Sequence, residues 1–163
     1  MKILCLGDSF TEGYLVDKNY TDYLEDEGLE IINLGISGDR TSGMLERFKP
    51  IACDIQITFG GTNDTFDRVS PDKTFSNIKQ ILDKSLADKN IVIIPPLMEA
   101  DESYPRYKEI NQTINDYGVL ADSLDVIVLD ARKIKPSYID GLHMREDFHQ
   151  RLAQEIIKTI ENI

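Results

Sequence analysis

Five short apolar runs, each separated from the next by a stretch with helical spacing, constrain this chain more than any other feature. They are Lys2–Leu6, Glu30–Leu34, Asp54–Phe59, Asn90–Pro95 and Asp125–Leu129, and each is rich in Ile, Val or Leu. Strands apolar on both faces belong to a sheet covered on both sides, which favours parallel pairing. Strand-helix alternation then requires right-handed crossovers and a three-layer α/β/α arrangement. At 163 residues the chain is expected to form one domain over 1–163, with a core of ordinary size.

The intervening helices can be read from caps and stripes. Tyr20–Glu27 is stopped by Gly28, a residue suited to the left-handed position after a helix. Thr41–Phe48 ends before Pro50. Pro71–Lys89 has Ser70 as its N-cap and Phe75, Ile78, Leu82 and Leu86 as its apolar stripe. Tyr104 to about Leu120 carries Tyr107, Ile110, Ile114 and Tyr117, with Gly118 obscuring its end. A last helix from Glu146 to Ile163 carries Phe148, Leu152, Ile156 and Ile160. These stripes read as core faces rather than cofactor contacts.

Composition excludes some partners. Eighteen Lys and Arg stand against 29 Asp and Glu, a net charge of −11. Such a surface repels phosphate backbones and anionic lipid, so neither nucleic acid nor a stable membrane association is expected. Cys5 and Cys53 lie in or beside strands and read as reduced core thiols. The amino terminus enters a strand at once, and no stretch of eighteen apolar residues occurs, so a soluble cytoplasmic protein is expected.

Chemistry-bearing residues fall at the carboxyl ends of the predicted strands, where open α/β sheets build their sites. Gly7-Asp8-Ser9 follows the first strand. Ser9 is a candidate nucleophile, although a serine after a strand is more often a turn or N-cap residue. Asn33-Leu34-Gly35-Ile36-Ser37-Gly38-Asp39 follows the second, and its glycines let backbone N–H groups approach a ligand, or simply make a tight turn. Gly60-Gly61-Thr62-Asn63-Asp64 follows the third; Asn63 offers an amide donor for an oxyanion, or an Asx-turn. Asp140-Gly141-Leu142-His143 precedes the last helix, and its spacing lets the carboxylate fold back onto the imidazole Nδ1–H. His149, six residues on, shares no helix face with His143, and a zinc site lacks ligands.

Taken in order, these four blocks resemble the SGNH hydrolases, the GDSL-type esterase and lipase superfamily, and are most similar to its compact bacterial members of the thioesterase I and lysophospholipase kind. The resemblance spans almost the whole chain. It implies a flavodoxin-like five-stranded parallel sheet of order 2-1-3-4-5. It implies Ser9 as nucleophile, His143 as general base and then acid, and Asp140 as the residue orienting His143. The oxyanion hole it implies comprises the N–H groups of Ser9 and Gly35 with the Asn63 amide. Esters or thioesters of small or lipid-like acyl groups would be cleaved through an acyl-enzyme, with no cofactor and no metal. The α/β-hydrolase fold is disfavoured because no Gly-x-Ser-x-Gly occurs.

The chain departs from the family pattern at Phe10, where a leucine is common, and at Arg40, where many members have threonine. Arg40 can meet an anionic substrate group, though a surface salt bridge is the simpler role. Phe10, Phe66, Leu142 and Met144 are candidate acyl-site residues because they flank the motifs, and each reads equally as packing. Short loops imply a shallow, open groove suited to small or flexible acyl chains. A carbohydrate O-deacetylase would use the same triad. A receiver domain would want an acidic residue where the third strand ends Thr58-Phe59-Gly60-Gly61, and a flavin-binding module a phosphate loop richer in hydroxyls than Ser9 and Thr11.

Overall fold

The computed structural model describes all 163 residues. The elements run β1 (Lys2–Gly7), α1 (Ser9–Glu12), α2 (Tyr20–Asp26), β2 (Glu30–Gly35), α3 (Thr41–Arg47), β3 (Cys53–Phe59), α4 (Thr62–Phe66), α5 (Pro71–Lys84), β4 (Ala87–Ile94), α6 (Tyr107–Ala121), β5 (Ile127–Asp130), a 3₁₀ turn (Ala131–Lys133) and α7 (Glu146–Glu161). All five strands pair in parallel in the order 2-1-3-4-5. This is the expected fold.

Alternation along β1 shows why the sheet needs two covers. Ile3 and Cys5 join the large cluster that contains Tyr20, Leu24, Phe148 and Leu152. Leu4 and Leu6 point the other way, into a smaller cluster with Met44, Phe48 and Ile81. α2 packs on α7, while α3 packs on α5 and α5 on α6, giving one helical layer on each face. No helix is long and apolar enough to cross a membrane.

Register positions the site. Gly7 of β1 stands level with Gly35 of β2 and with Phe59 of β3, so three strands end on one line. The loops that follow therefore converge on one edge of the sheet, at the reversal of strand order between β1 and β3.

Two helix boundaries differ from the sequence expectation by more than two residues. α5 stops at Lys84, not Lys89, because the chain turns extended at Ser85 and pairs with β3 from Ala87 onward. Sheet hydrogen bonding overrides the helical period here. Leu86 is accordingly 58 % exposed, and Ile81 takes the buried place on the stripe. α6 starts at Tyr107 rather than Tyr104. Pro105 disfavours helical dihedrals at Tyr104, which stays in the loop. Gly118 does not end α6; it sits inside the helix, where a Cβ would lie 2.5 Å from the Arg132 guanidinium.

Candidate active site

Ser9 opens α1, directly after the N-cap Asp8, whose side chain accepts from the Phe10 N–H. As the first residue of a helical turn, Ser9 has an N–H with no intrahelical acceptor. The residue is 7 % exposed and lines a cleft of about 480 Å³ together with Tyr14, Ser37, Gly38, Asn63, Phe66, Tyr104, Leu142 and His143.

His143 arrives from the loop before α7. Asp140 Oδ1 accepts the Leu142 and His143 backbone N–H groups, which coils the loop. Asp140 Oδ2 then meets His143 Nδ1 at 2.7 Å. With Nδ1 engaged, Nε2 is the ring nitrogen available to a reacting group. Burial pushes the Asp140 carboxyl up, but the hydrogen bonds from the His143 ring and from the two N–H groups outweigh it and hold the carboxyl below its usual range. Gly141 has φ +81, and its O accepts from the Glu99 N–H, tying this loop to the one that carries Tyr104.

The loop after β2 holds the chief departure from expectation. Gly35 is not brought to the cleft. Its N–H donates to Asn33 Oδ1 at 2.8 Å, and a Cβ there would lie 2.1 Å from the Glu12 N. Gly35 is therefore a close-approach residue between β2 and α1. Gly38, three residues on, lines the cleft with φ +76. Its neighbours are pinned: Ser37 donates its N–H and hydroxyl to Glu12 Oε2, and the Asp39 N–H donates to Ile36 O. The Gly38 N–H donates to no group of the protein. The fact that exposes this donor is which N–H groups the turn consumes, and that is not written in the motif.

Asn63, in α4, donates its Nδ2 to Asp39 O at 2.9 Å and to Asp8 Oδ2 at 3.3 Å. Asp8 is enclosed, and burial pushes its carboxyl up to about 7, with the nearby Asp64 and Asp39 charges adding to the rise and the Phe10 N–H opposing it. The adjacent Asp64 is equally buried but holds the fold, accepting from the Thr41 N–H, the Thr41 hydroxyl and the Thr74 hydroxyl.

Of the candidate lining residues, Phe66 and Leu142 are on the cleft. Phe10 and Met144 are not: Phe10 stacks on Phe59 in the core and Met144 is buried beside Tyr138. Both are drawn inward because α1 and the pre-α7 loop present their other sides to the cleft. Arg40 donates to Asp67 in an exposed ion pair, as the simpler reading of that residue has it. Sequence reasoning missed Tyr14 and Tyr104. Tyr14 lies edge-on to the His143 ring with centroids 4.9 Å apart, and Tyr104 packs on Phe66 at 5.7 Å. No three His, Cys, Asp or Glu side chains gather to hold a metal ion.

This geometry of serine, histidine and carboxylate on a flavodoxin-like sheet invites comparison with known families. Residues 5–151 match the GDSL-like Lipase/Acylhydrolase family. The chain belongs to that family. Its coarse activity is accordingly that of an esterase or acylhydrolase. Similar solved structures include a lipase/acylhydrolase from Enterococcus faecalis, 24% identical with a TM-score of 0.83, covering 99% of this chain and 95% of that one. An aryl esterase from M. smegmatis is 20% identical with a TM-score of 0.81, covering 99% and 98%. A carbohydrate acetylesterase from Sinorhizobium meliloti is 20% identical with a TM-score of 0.77, again covering 99% and 98%. At these identities the likeness establishes the shared fold. No curated protein matches the chain.

Proposed function

We propose that the protein is a serine ester hydrolase working through an acyl-enzyme on Ser9. The observation that carries this reading is the 2.7 Å bond between Asp140 and His143 Nδ1, in a loop that puts the imidazole on the cleft lined by Ser9. Ser9 Oγ attacks the ester carbonyl carbon while its proton passes to His143 Nε2. The carbonyl π pair moves onto oxygen, and the Ser9 and Gly38 N–H groups with the Asn63 amide receive the resulting charge. Asn63 does so by releasing its longer bond to Asp8. Collapse expels the alcohol, which takes the proton from His143. Water, deprotonated by the same imidazole, then attacks the acyl-serine, and the proton returns to Ser9 Oγ as the acid leaves. Asp140 orients the ring and stabilises its cation.

The cleft favours small substrates. Its volume suits a short acyl chain plus one ring, and Tyr14, Phe66, Tyr104 and Leu142 offer apolar and aromatic walls. Aromatic faces take an aryl alcohol or the apolar face of a sugar, so an acetylated carbohydrate is the second substrate class. The similarity to both an aryl esterase and a carbohydrate acetylesterase agrees with that pair.

The test is hydrolysis of p-nitrophenyl esters from acetate to octanoate, and of a peracetylated sugar, by wild type beside Ser9→Ala. We expect serine-dependent turnover that is greatest for the shortest acyl groups. Equal activity in a folded Ser9→Ala protein would remove Ser9 from the mechanism.

A further inference from the structure

The proposed oxyanion donors do not hold themselves in place. Gly38 lies in a left-handed conformation in a four-residue turn, and Asn63 hangs from the short α4. Both are tied to Asp39: Gly38 through the shared peptide, Asn63 through its 2.9 Å bond to Asp39 O. What holds Asp39 therefore sets the position of two donors at once.

Two features of α3 hold it. Arg47, at the end of that helix, donates Nε to Asp39 Oδ2 at 2.7 Å and Nη2 to Gly7 O at 3.0 Å. Gly7 O also accepts the Ile36 N–H, so one carbonyl, two residues before Ser9, anchors both ends of the turn. The second feature is Gly43. A Cβ at that position would lie 2.1 Å from Asp39 Oδ1, and the next nearest atoms it would meet also belong to the Asp39 carboxylate. A glycine in a helix costs about 1 kcal/mol against alanine, and here it leaves the space that the carboxylate fills. The ion pair is mostly shielded, with the two side chains 25% and 13% exposed, so solvent screens it little.

We propose that Arg47 is a positioning residue for catalysis: through Asp39, and with Gly43 clearing the space, it fixes the Gly38 N–H and the Asn63 amide against the end of β1, just ahead of Ser9. Arg47 touches no reacting atom. It acts on the stage at which negative charge develops, because donors displaced by about 1 Å lose up to roughly a hundredfold in rate. The inference rests on the serine esterase reading above.

Gly43→Ala is the decisive variant. It adds one methyl group against the Asp39 carboxylate, improves helix propensity and leaves Arg47 in place. We expect kcat on p-nitrophenyl acetate to fall about tenfold to a hundredfold, KM to stay within about twofold, and the thermal midpoint to hold or rise. Arg47→Met should repeat the kcat loss. Inhibition by phenylboronic acid, which forms a tetrahedral adduct on a reactive serine, should weaken by a similar factor. If Arg47 acts through these donors, adding Arg47→Met to Asn63→Ala should cost much less than the product of the two losses.

Ser9→Ala separates the failures. Wild-type activity in that variant brings down the esterase reading and this inference with it. An inactive Ser9→Ala beside Gly43→Ala and Arg47→Met proteins with unchanged kcat refutes the positioning role alone. Losses that multiply with Asn63→Ala also refute it. Should Arg47→Met fail to fold, the kcat of Gly43→Ala decides between the two outcomes by itself.

Discussion

Replacing His149 by leucine should improve the stability of this fold selectively on the acid side. His149 sits on α7 at 2 % exposure, its ring parallel to Tyr20 with centroids 6.5 Å apart and close to Phe10 and Phe148. Its Nδ1 has no hydrogen-bond partner. Burial pushes the imidazole from 6.5 down to about 4, against smaller opposing pulls from the Asp22 charge and the Met144 backbone. The unfolded chain takes up this proton once the pH drops below 6.5, while the fold resists it until about 4. Stability is therefore complete above 6.5 and is lost as pH falls through that window, by about 3 kcal/mol.

The wild-type profile alone would conceal this loss. Asp8 works in the opposite direction: its folded carboxyl is raised to about 7 from 3.8, so its contribution is complete below 3.8 and is lost as pH rises through 7. The two groups offset each other across much of the same range. The informative quantity is the stability of His149→Leu minus that of wild type, because Asp8 and every other shared group cancel in it. Urea unfolding followed by circular dichroism at pH 7.5 and pH 4 would give it. We expect the difference to swing in favour of the variant by about 3 kcal/mol between those pH values. A difference that stays constant within about 0.5 kcal/mol, with unfolding still two-state, refutes the argument that burial keeps His149 neutral.

The two glycines of the β2 loop should fail in different ways. Gly38→Ala forces a side chain onto φ +76 at the proposed oxyanion hole and should lower kcat, whereas Gly35→Ala drives a Cβ into α1 and should lower the unfolding midpoint; paired kinetics and thermal melts read both. Asn63→Ala should reduce kcat by roughly 10²–10³, read at saturating ester. His143→Ala should abolish most turnover and Asp140→Asn should retain more of it, since in the proposed mechanism Asp140 acts through the ring; equal losses would mean that Asp140 does more than orient. Arg40→Ala should change stability by less than about 1 kcal/mol in urea, because its pair with Asp67 is exposed.

The sheet was legible because its evidence is periodic. Each of the five strands appears as a run dense in Ile, Val or Leu, and alternating helices leave few other arrangements once crossovers must be right-handed. The errors fell where two local preferences compete. Residues 85–89 continue the helical spacing of α5, yet from Ala87 onward the backbone gains a strand partner in β3, and a five-residue difference at that boundary turned Leu86 outward. α1 and α4, of four and five residues, have no period to read. They form because Asp8 and Gly61 turn the chain at the strand ends.

At the site, side chains and backbone donors differ in how far a sequence can nominate them. Ser9, Asn63 and His143 are the polar residues of their motifs best suited to their chemistry, so type and order sufficed to nominate them, and the sheet register gathers them on one cleft. Every residue except proline carries the same N–H, so type says nothing about which one is free. Gly35 and Gly38 are equal on that criterion. They part company only when the acceptors are counted: Asn33 takes the Gly35 N–H and Glu12 the Ser37 N–H, Ile36 O takes that of Asp39, and the N–H of Gly38, a cleft residue, is left without an acceptor. The oxyanion hole proposed here is what remains when the rest of a turn has satisfied itself. Its position is thus set by residues that never meet substrate, Glu12 and Arg47 among them, and substitutions there should alter turnover while leaving the recognisable motifs untouched.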